Sequence, residues 1–202
     1  MTGSGPPMLS PRIRRLKQDY DKLRARFSDW PLIQLTGTAG IPPECYQVKY
    51  AIRGLYVDPT GQILDRQEHI LEINLMLHYP RRAPQCRMLT PVFHPNFDDS
   101  SVCIGDFWAP SESLDDLIVR VGRMIAYQEY NTKSPLNGLA AKWATQHPEL
   151  LPIDSRNIAP PTDGTVQASA TPPPAQDLSS ETSPAAAEPK PQDPWNQRIV
   201  VE

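Results

Sequence analysis

Residues 91–110 read PVFHPNFDDSSVCIGDFWAP. His94-Pro95-Asn96 sets a rigid turn, because proline fixes its own φ and restricts the residue before it. An acidic, serine-containing loop follows (Asp98, Asp99, Ser100, Ser101), then one cysteine, Cys103, then the aromatic-proline cluster of Phe107, Trp108 and Pro110. A thiol beside a rigid turn, outside any periodic apolar pattern, suits a held nucleophile. Cys86 falls in a strand pattern and Cys45 lies beside a proline turn, where packing or exposure accounts for them better.

Ahead of this stretch, Ser10-Pro11 reads as a cap and first-turn proline. Ile13, Leu16, Tyr20, Leu23 and Phe27 then recur at helical spacing. A short strand is expected over 30–35, with a turn at Gly37, Gly40 and Pro42-Pro43. Tyr46, Val48, Tyr50 and Ile52 alternate with polar residues, as do Leu71, Ile73, Leu75 and Leu77, which is the period of half-buried antiparallel strands. Asp58-Pro59-Thr60-Gly61 is a tight turn, and residues 86–89 supply a fourth strand. Beyond residue 110, Ser113 caps a second helix with Asp115 and Asp116 in its first turn and Leu114, Leu117, Ile118, Val121 and Ile125 on its buried face. Ser134-Pro135 repeats the cap device for a third helix carrying Leu136, Leu139, Ala140 and Trp143. The order of helix, meander of four strands, active-site loop and two helices is an α+β arrangement.

Composition sets the boundaries. Of the 202 residues, 24 are proline, concentrated so that 151–202, above all from Ala159 onward, has almost no large apolar residue to offset the entropy of ordering. We expect a flexible 1–9, one globular domain over 10–150 and a Pro/Ala/Ser-rich disordered tail over 151–202, whose one apolar patch is 195–201. Leu150 and Leu151 are expected to close the domain. Three cysteines without a Cys-x-x-Cys pair argue against a disulfide framework and a structural zinc site, and fit a reducing cytosol. The first residues lack a signal pattern and no apolar run approaches a membrane span. The net charge of −3 conceals a basic segment, since residues 10–27 hold seven Arg or Lys against two Asp. Such a helix face meets acidic protein partners more often than nucleic acid.

A hydrolytic cysteine needs a histidine to accept its proton. His94 is the only histidine close in sequence, and its place before Pro95 suits support of the turn better than base chemistry. Asn96 either donates to a developing oxyanion or closes the turn through its amide.

Tyr79-Pro80 followed by Pro84, then His94-Pro95-Asn96, a cysteine nine positions after the histidine, and Trp108-x-Pro110 together resemble the ubiquitin-conjugating enzyme family, over about residues 10–148. The run from Cys103 through Trp143, with SLDDLIVRVGRMIAYQEYNTKSPLNGLAAKWA, is more similar to its bacterial members. Those sit beside an activating enzyme, a ubiquitin-like protein and a deconjugating peptidase, and are associated with defence against phage. The resemblance implies that Cys103 accepts a ubiquitin-like C-terminus as a thioester from an activating enzyme and passes it to a target amine in the cytoplasm, with no cofactor or metal. It implies Asn96 at the oxyanion, His94 and Pro95 as support, Ser134 or Asp106 assisting amine attack, with Tyr130 and Asn131 as weaker candidates, and Arg14, Arg15 and Lys17 meeting the activating enzyme. The short span from Cys103 to Trp108 leaves use of a ligase open. A non-catalytic ubiquitin-binding variant of the fold, or a cysteine hydrolase, are the alternatives; the presence of Cys103 opposes the first and the missing base the second.

Overall fold

The computed structural model describes residues 9–104 and 108–161; Asp106, Phe107 and the patch at 195–201 lie outside the described residues. Helix α1 (Pro11–Phe27) starts at Ser10, whose Oγ accepts the Ile13 N–H at 3.3 Å. Four antiparallel strands follow in the order β1 (Ile33–Gly40), β2 (Pro43–Tyr50), β5 (His69–Asn74) and β6 (Gln85–Met88). Between β2 and β5 the chain makes a separate hairpin of β3 (Gly54–Val57) and β4 (Ile63–Arg66). Helices α2 (Leu114–Ile125) and α3 (Gly138–Gln146) complete the α+β fold.

All the alternating residues except Leu77 face one layer. Tyr46 pairs with Ile73 and Val48 with Leu71 across β2 and β5, and Ile73 pairs with Cys86 of β6. These side chains are buried together with Leu16, Leu23 and Phe27 of α1 and with Leu114, Leu117, Ile118, Val121 and Ile125 of α2. Tyr50 reaches from the sheet to donate its hydroxyl to the Ile118 carbonyl at 3.0 Å.

Several local expectations change. The first strand begins later and runs through Gly37, with irregularities between Leu35 and Gly37 and between Ala39 and Gly40. The turn proper starts at Gly40, whose φ of 100° suits glycine; a Cβ there would also meet the Pro42 carbonyl at 3.0 Å. Leu77 is 75% exposed: the Leu75 N–H still meets the Glu44 carbonyl in register with β2, and the chain leaves the sheet after it, turning where the Tyr79 N–H donates to the Met76 carbonyl. Ser113 occupies the cap position of α2, but its hydroxyl donates to Asp116 instead of accepting a backbone N–H. Ser134 does not cap α3. Asn137 does, its Oδ1 accepting the Ala140 N–H at 3.0 Å, so the helix starts later and Leu136 and Leu139 are exposed.

Packing also continues past Leu150 and Leu151, into the stretch assigned to the tail. Ile153 and Ile158 are buried, the Trp30 indole donates to the Ile158 carbonyl at 2.9 Å, and Asp154 accepts the Arg53 N–H. Ile158 lies against Gly122 of α2, where a Cβ would meet Ile158 Cγ2 at 2.7 Å. The missing side chain on α2 makes room for this strap.

Helix α1 is held by its own cations. Arg12 forks onto Glu44, and Arg26 bonds Asp115 and Asp116 at the start of α2. Arg15, expected to meet a partner, turns inward: it grips the buried Asp19 through Nε at 3.0 and 2.8 Å, and donates to the Tyr79 hydroxyl and to the Pro110 and Glu112 carbonyls. Tyr79 in turn donates to Asp19 at 2.6 Å. Burial holds the Asp19 carboxyl above its usual range in spite of Tyr79 and Arg15. Removing the cation strands a buried carboxylate, so Arg15→Ala is expected to lower the unfolding free energy in urea by about 3–5 kcal/mol. The exposed neighbour Arg14→Ala should stay within about 0.5 kcal/mol of the parent.

Candidate functional site

The loop after β6 folds back on itself. The Phe97 N–H donates to the His94 carbonyl at 3.2 Å, Phe97 bridges Val102, and the Cys103 N–H donates to the Asn96 carbonyl at 2.9 Å. Asp98 holds the tip: its carboxylate accepts the N–H and hydroxyl groups of Ser100 and Ser101, which keep its pKa below the usual carboxylate range. The acidic-serine segment therefore closes a turn, and its function is to set Cys103 opposite Asn96. The Val102 N–H donates to the Cys86 carbonyl and moors this turn to the sheet edge.

A second segment, after α2, clasps the first residue by residue. Tyr127 donates its hydroxyl to the Phe93 carbonyl at 2.7 Å. His94 Nδ1 accepts the Asn96 N–H at 3.1 Å, so the proton sits on Nε2, which donates to the Glu129 carbonyl at 3.2 Å. The Pro95 carbonyl accepts from both Leu136 and Asn137. The Asn96 side chain makes a two-way pair with Asn131: Nδ2 donates to the carbonyl at 3.0 Å and Oδ1 accepts the N–H at 2.7 Å. That pair fixes which end of the amide is nitrogen and leaves its second hydrogen for another acceptor.

His94 is fully buried between the rings of Phe97 and Tyr127, whose centroids lie 4.8 and 4.7 Å away. Burial drives its pKa down to about 3, against the bond to Glu129, so the ring is neutral. With Nδ1 occupied and Nε2 protonated, it has no free lone pair for a thiol. Its geometry is that of a brace.

A cleft of about 170 Å³ opens at this clasp, lined by Cys103, Asn96, Asn131, Tyr130, Ser134, Arg120, Met124 and Glu129. Cys103 is half-buried, whereas Cys86 is buried and its thiol is pushed up to about 12. Ser134, freed from the cap role, is exposed on the cleft wall. Arg120 and Glu129 were not anticipated from sequence: Arg120 Nε donates to Glu129 Oε1 at 2.8 Å, and Glu112 Oε1 lies 3.9 Å from Arg120 Nη1. Arg120 and Met124 are four apart on α2, so one helix face supplies both, a signal readable only once the cleft is known. Larger hollows of about 310 and 770 Å³ are lined by no cysteine or histidine. Among the described residues no three or more His, Cys, Asp or Glu gather to hold a metal ion, and no helix is long and apolar enough to cross a membrane. Arg14 and Lys17 are exposed on α1.

His69, under the β3–β4 hairpin, is likewise buried and depressed, by burial, to about 4. Both rings are neutral when folded and protonate on unfolding below about pH 6.5. Stability is therefore lost as pH falls from about 6.5 until the native rings titrate near 3–4. Urea unfolding between pH 6 and 4.5 should show a slope near 1.4 kcal/mol per pH unit for each histidine. His94→Gln should remove one histidine's share of that slope.

Residues 40–152 match the family model described as ubiquitin-conjugating enzyme. The chain is similar to the Caenorhabditis elegans ubiquitin-conjugating enzyme E2 1, 26% identical over 139 residues that cover 67% of each chain. It is 32% identical over 138 residues to the Danio rerio ubiquitin-conjugating enzyme E2 T, covering 62% of this chain and 63% of that one. The chain thus spans about two thirds or less of the length of these relatives. Among solved structures, that of S. cerevisiae Ubc12 superposes with a TM-score of 0.51 at 26% identity, over 71% of this chain and 74% of that one.

Proposed function

Because the chain belongs to the ubiquitin-conjugating enzyme family, we propose that Cys103 accepts the C-terminus of a ubiquitin-like protein as a thioester from an activating enzyme and passes it to an amine of a target protein. The observation that carries this reading is the cleft itself. Its thiol stands beside an amide with an uncommitted N–H, Asn96, and its histidine, His94, has no lone pair to offer. A hydrolase needs a base to raise its nucleophile. Exchange between thioesters is energetically even, and thiolate is already partly present near neutral pH.

In the proposed reaction the Cys103 thiolate attacks the incoming thioester carbonyl, and the second Asn96 N–H donates to the oxygen as it gains charge. Donors of this kind are worth roughly 10²–10³ in rate. Ser134, on the cleft wall, and Asp106, which the sequence puts three residues after the nucleophile, are proposed to assist in the second transfer. The cation set that meets the activating enzyme is narrowed to Arg14 and Lys17, since Arg15 is spent inside the fold. The resemblance of the run from Cys103 through Trp143 to bacterial members supports a place in a cytoplasmic phage-defence conjugation system. A gene neighbourhood without an activating enzyme and a deconjugating peptidase would count against it.

With a competent activating enzyme, ATP and the ubiquitin-like protein, a non-reducing gel should show a thiol-sensitive adduct that Cys103→Ala abolishes. Absence of the adduct, or its persistence in Cys103→Ala, overturns the assignment. Arg14→Glu with Lys17→Glu should slow adduct formation at low salt and converge on the parent rate as salt screens the charges.

A further inference from the structure

The segment after α2 is held from two sides, and the cleft accounts for only one of them. Tyr127, Glu129 and Asn131 bond Phe93, His94 and Asn96 of the nucleophile loop. The residues between turn the other way, to the strap beyond Leu151. The Ala126 carbonyl accepts the Asp154 N–H at 3.3 Å, and Gln128 Nε2 donates to the Asp154 carbonyl at 2.9 Å and to the Arg156 carbonyl at 2.8 Å, which uses both amide hydrogens. The strap has its own anchors on the opposite side: the Asp154 carboxylate accepts the Arg53 N–H at 2.9 Å and grips Arg156, whose Nη2 reaches the Ala51 carbonyl at 3.0 Å. Ile158 is fully buried below it. Gln128 itself is exposed, so its two bonds fix the path of the chain and not the packing of the core. Three residues on, the two backbone groups of Asn131 set the orientation of the Asn96 amide.

Resting on the thioester reading above, we infer that Gln128 is a positioning residue for the transfer. By pinning residues 126–128 to the strap it sets where the Asn131 backbone holds Asn96, and so where the uncommitted Asn96 N–H points as the thioester oxygen gains charge. Gln128 touches no reacting atom. The strap, residues 151–159, thereby belongs to the catalytic unit although none of it lines the cleft. A donor to a developing oxyanion acts only from the right place, so a small displacement of Asn96 costs rate even where the fold persists.

The test needs no cognate partner. Full-length protein carrying Cys45→Ser is treated with a synthetic peptide thioester ending in Gly-Gly, and acylation of Cys103 is timed against its alkylation by iodoacetamide, a displacement that develops no oxyanion. The ratio of the two rates reports the Asn96 donor, because exposure and ionisation of the thiol enter both. Gln128→Met keeps the length of the side chain and loses both donors. It should lower the ratio about tenfold, short of the roughly 10²–10³ that a removed oxyanion donor costs. Gln128→Lys, which restores a donor, should recover part of the loss. Asn96→Ala should lower the ratio further, and adding Gln128→Met to it should change nothing more, since the two act through one donor. An unchanged ratio in Gln128→Met overturns the inference. Equal slowing of acylation and alkylation would mean a purely structural role and overturns it too, as would a full further loss in the double variant. A ratio that Asn96→Ala leaves unchanged would instead overturn the oxyanion step of the thioester reading beneath it.

Discussion

Everything at the cleft depends on one constraint: four consecutive residues, Phe93, His94, Pro95 and Asn96, are each bonded to a segment some thirty to forty positions later. Phe93 and Pro95 are held through their backbone carbonyls, and the other two residues through their side chains, His94 to Glu129 and Asn96 to Asn131. Because the loop is largely buried, each bond also satisfies a polar group that would otherwise be stranded. The loop is thereby held from both sides, by the sheet through Cys86 and by the post-α2 segment through the clasp. The thiol, the free amide hydrogen and the Arg120–Glu129 pair inherit their positions from it.

The helical layer provides the frame. Side chains of α1 reach the β2 strand, the Tyr79 region and the start of α2 at three separated points, so the helix is bolted along its length and not merely laid on the sheet. Trp108 joins the same system, donating its indole N–H to the Pro80 carbonyl and packing 6.0 Å from the Tyr79 ring. The residues on either side of the cysteine loop are thus tied back to α1, which couples the basic helix to the geometry of the cleft without touching it.

Much of this was legible in the sequence. The alternation at Tyr46, Val48 and Tyr50 and the stripe at Leu16, Leu23 and Phe27 are periodic, and burial follows period. The β3–β4 hairpin was not, because GLYV and ILDR are four residues each and too short to show a period; only the turn between them had a signature. Ser134 and Asn137 are both good caps on chemistry alone, and the choice between them depends on where the Pro95 carbonyl holds the chain. Arg14 and Arg15 differ by one helical step, yet one is exposed and the other pairs with Asp19, four positions later, a carboxylate whose burial the apolar stripe does not announce. The pairing of Arg120 with Glu129 spans a helix end and a loop, so no spacing rule announces it. Short-range periodicity is written in the chain; polar partnerships across elements are made only by the fold.

Tyr127 bears on how such a clasp behaves. It follows α2 with φ of 55°, a region that disfavours any residue with a Cβ, yet its ring is buried against His94 and its hydroxyl holds the Phe93 carbonyl. Glycine would ease the backbone and discard the ring; any other side chain would keep the strain and lose the bond. The backbone tension is therefore sustained only while the ring stays seated. Once it leaves, the turn relaxes and the His94 brace loses a wall in the same movement. Strain and brace thus share one side chain, and the seated ring sustains both.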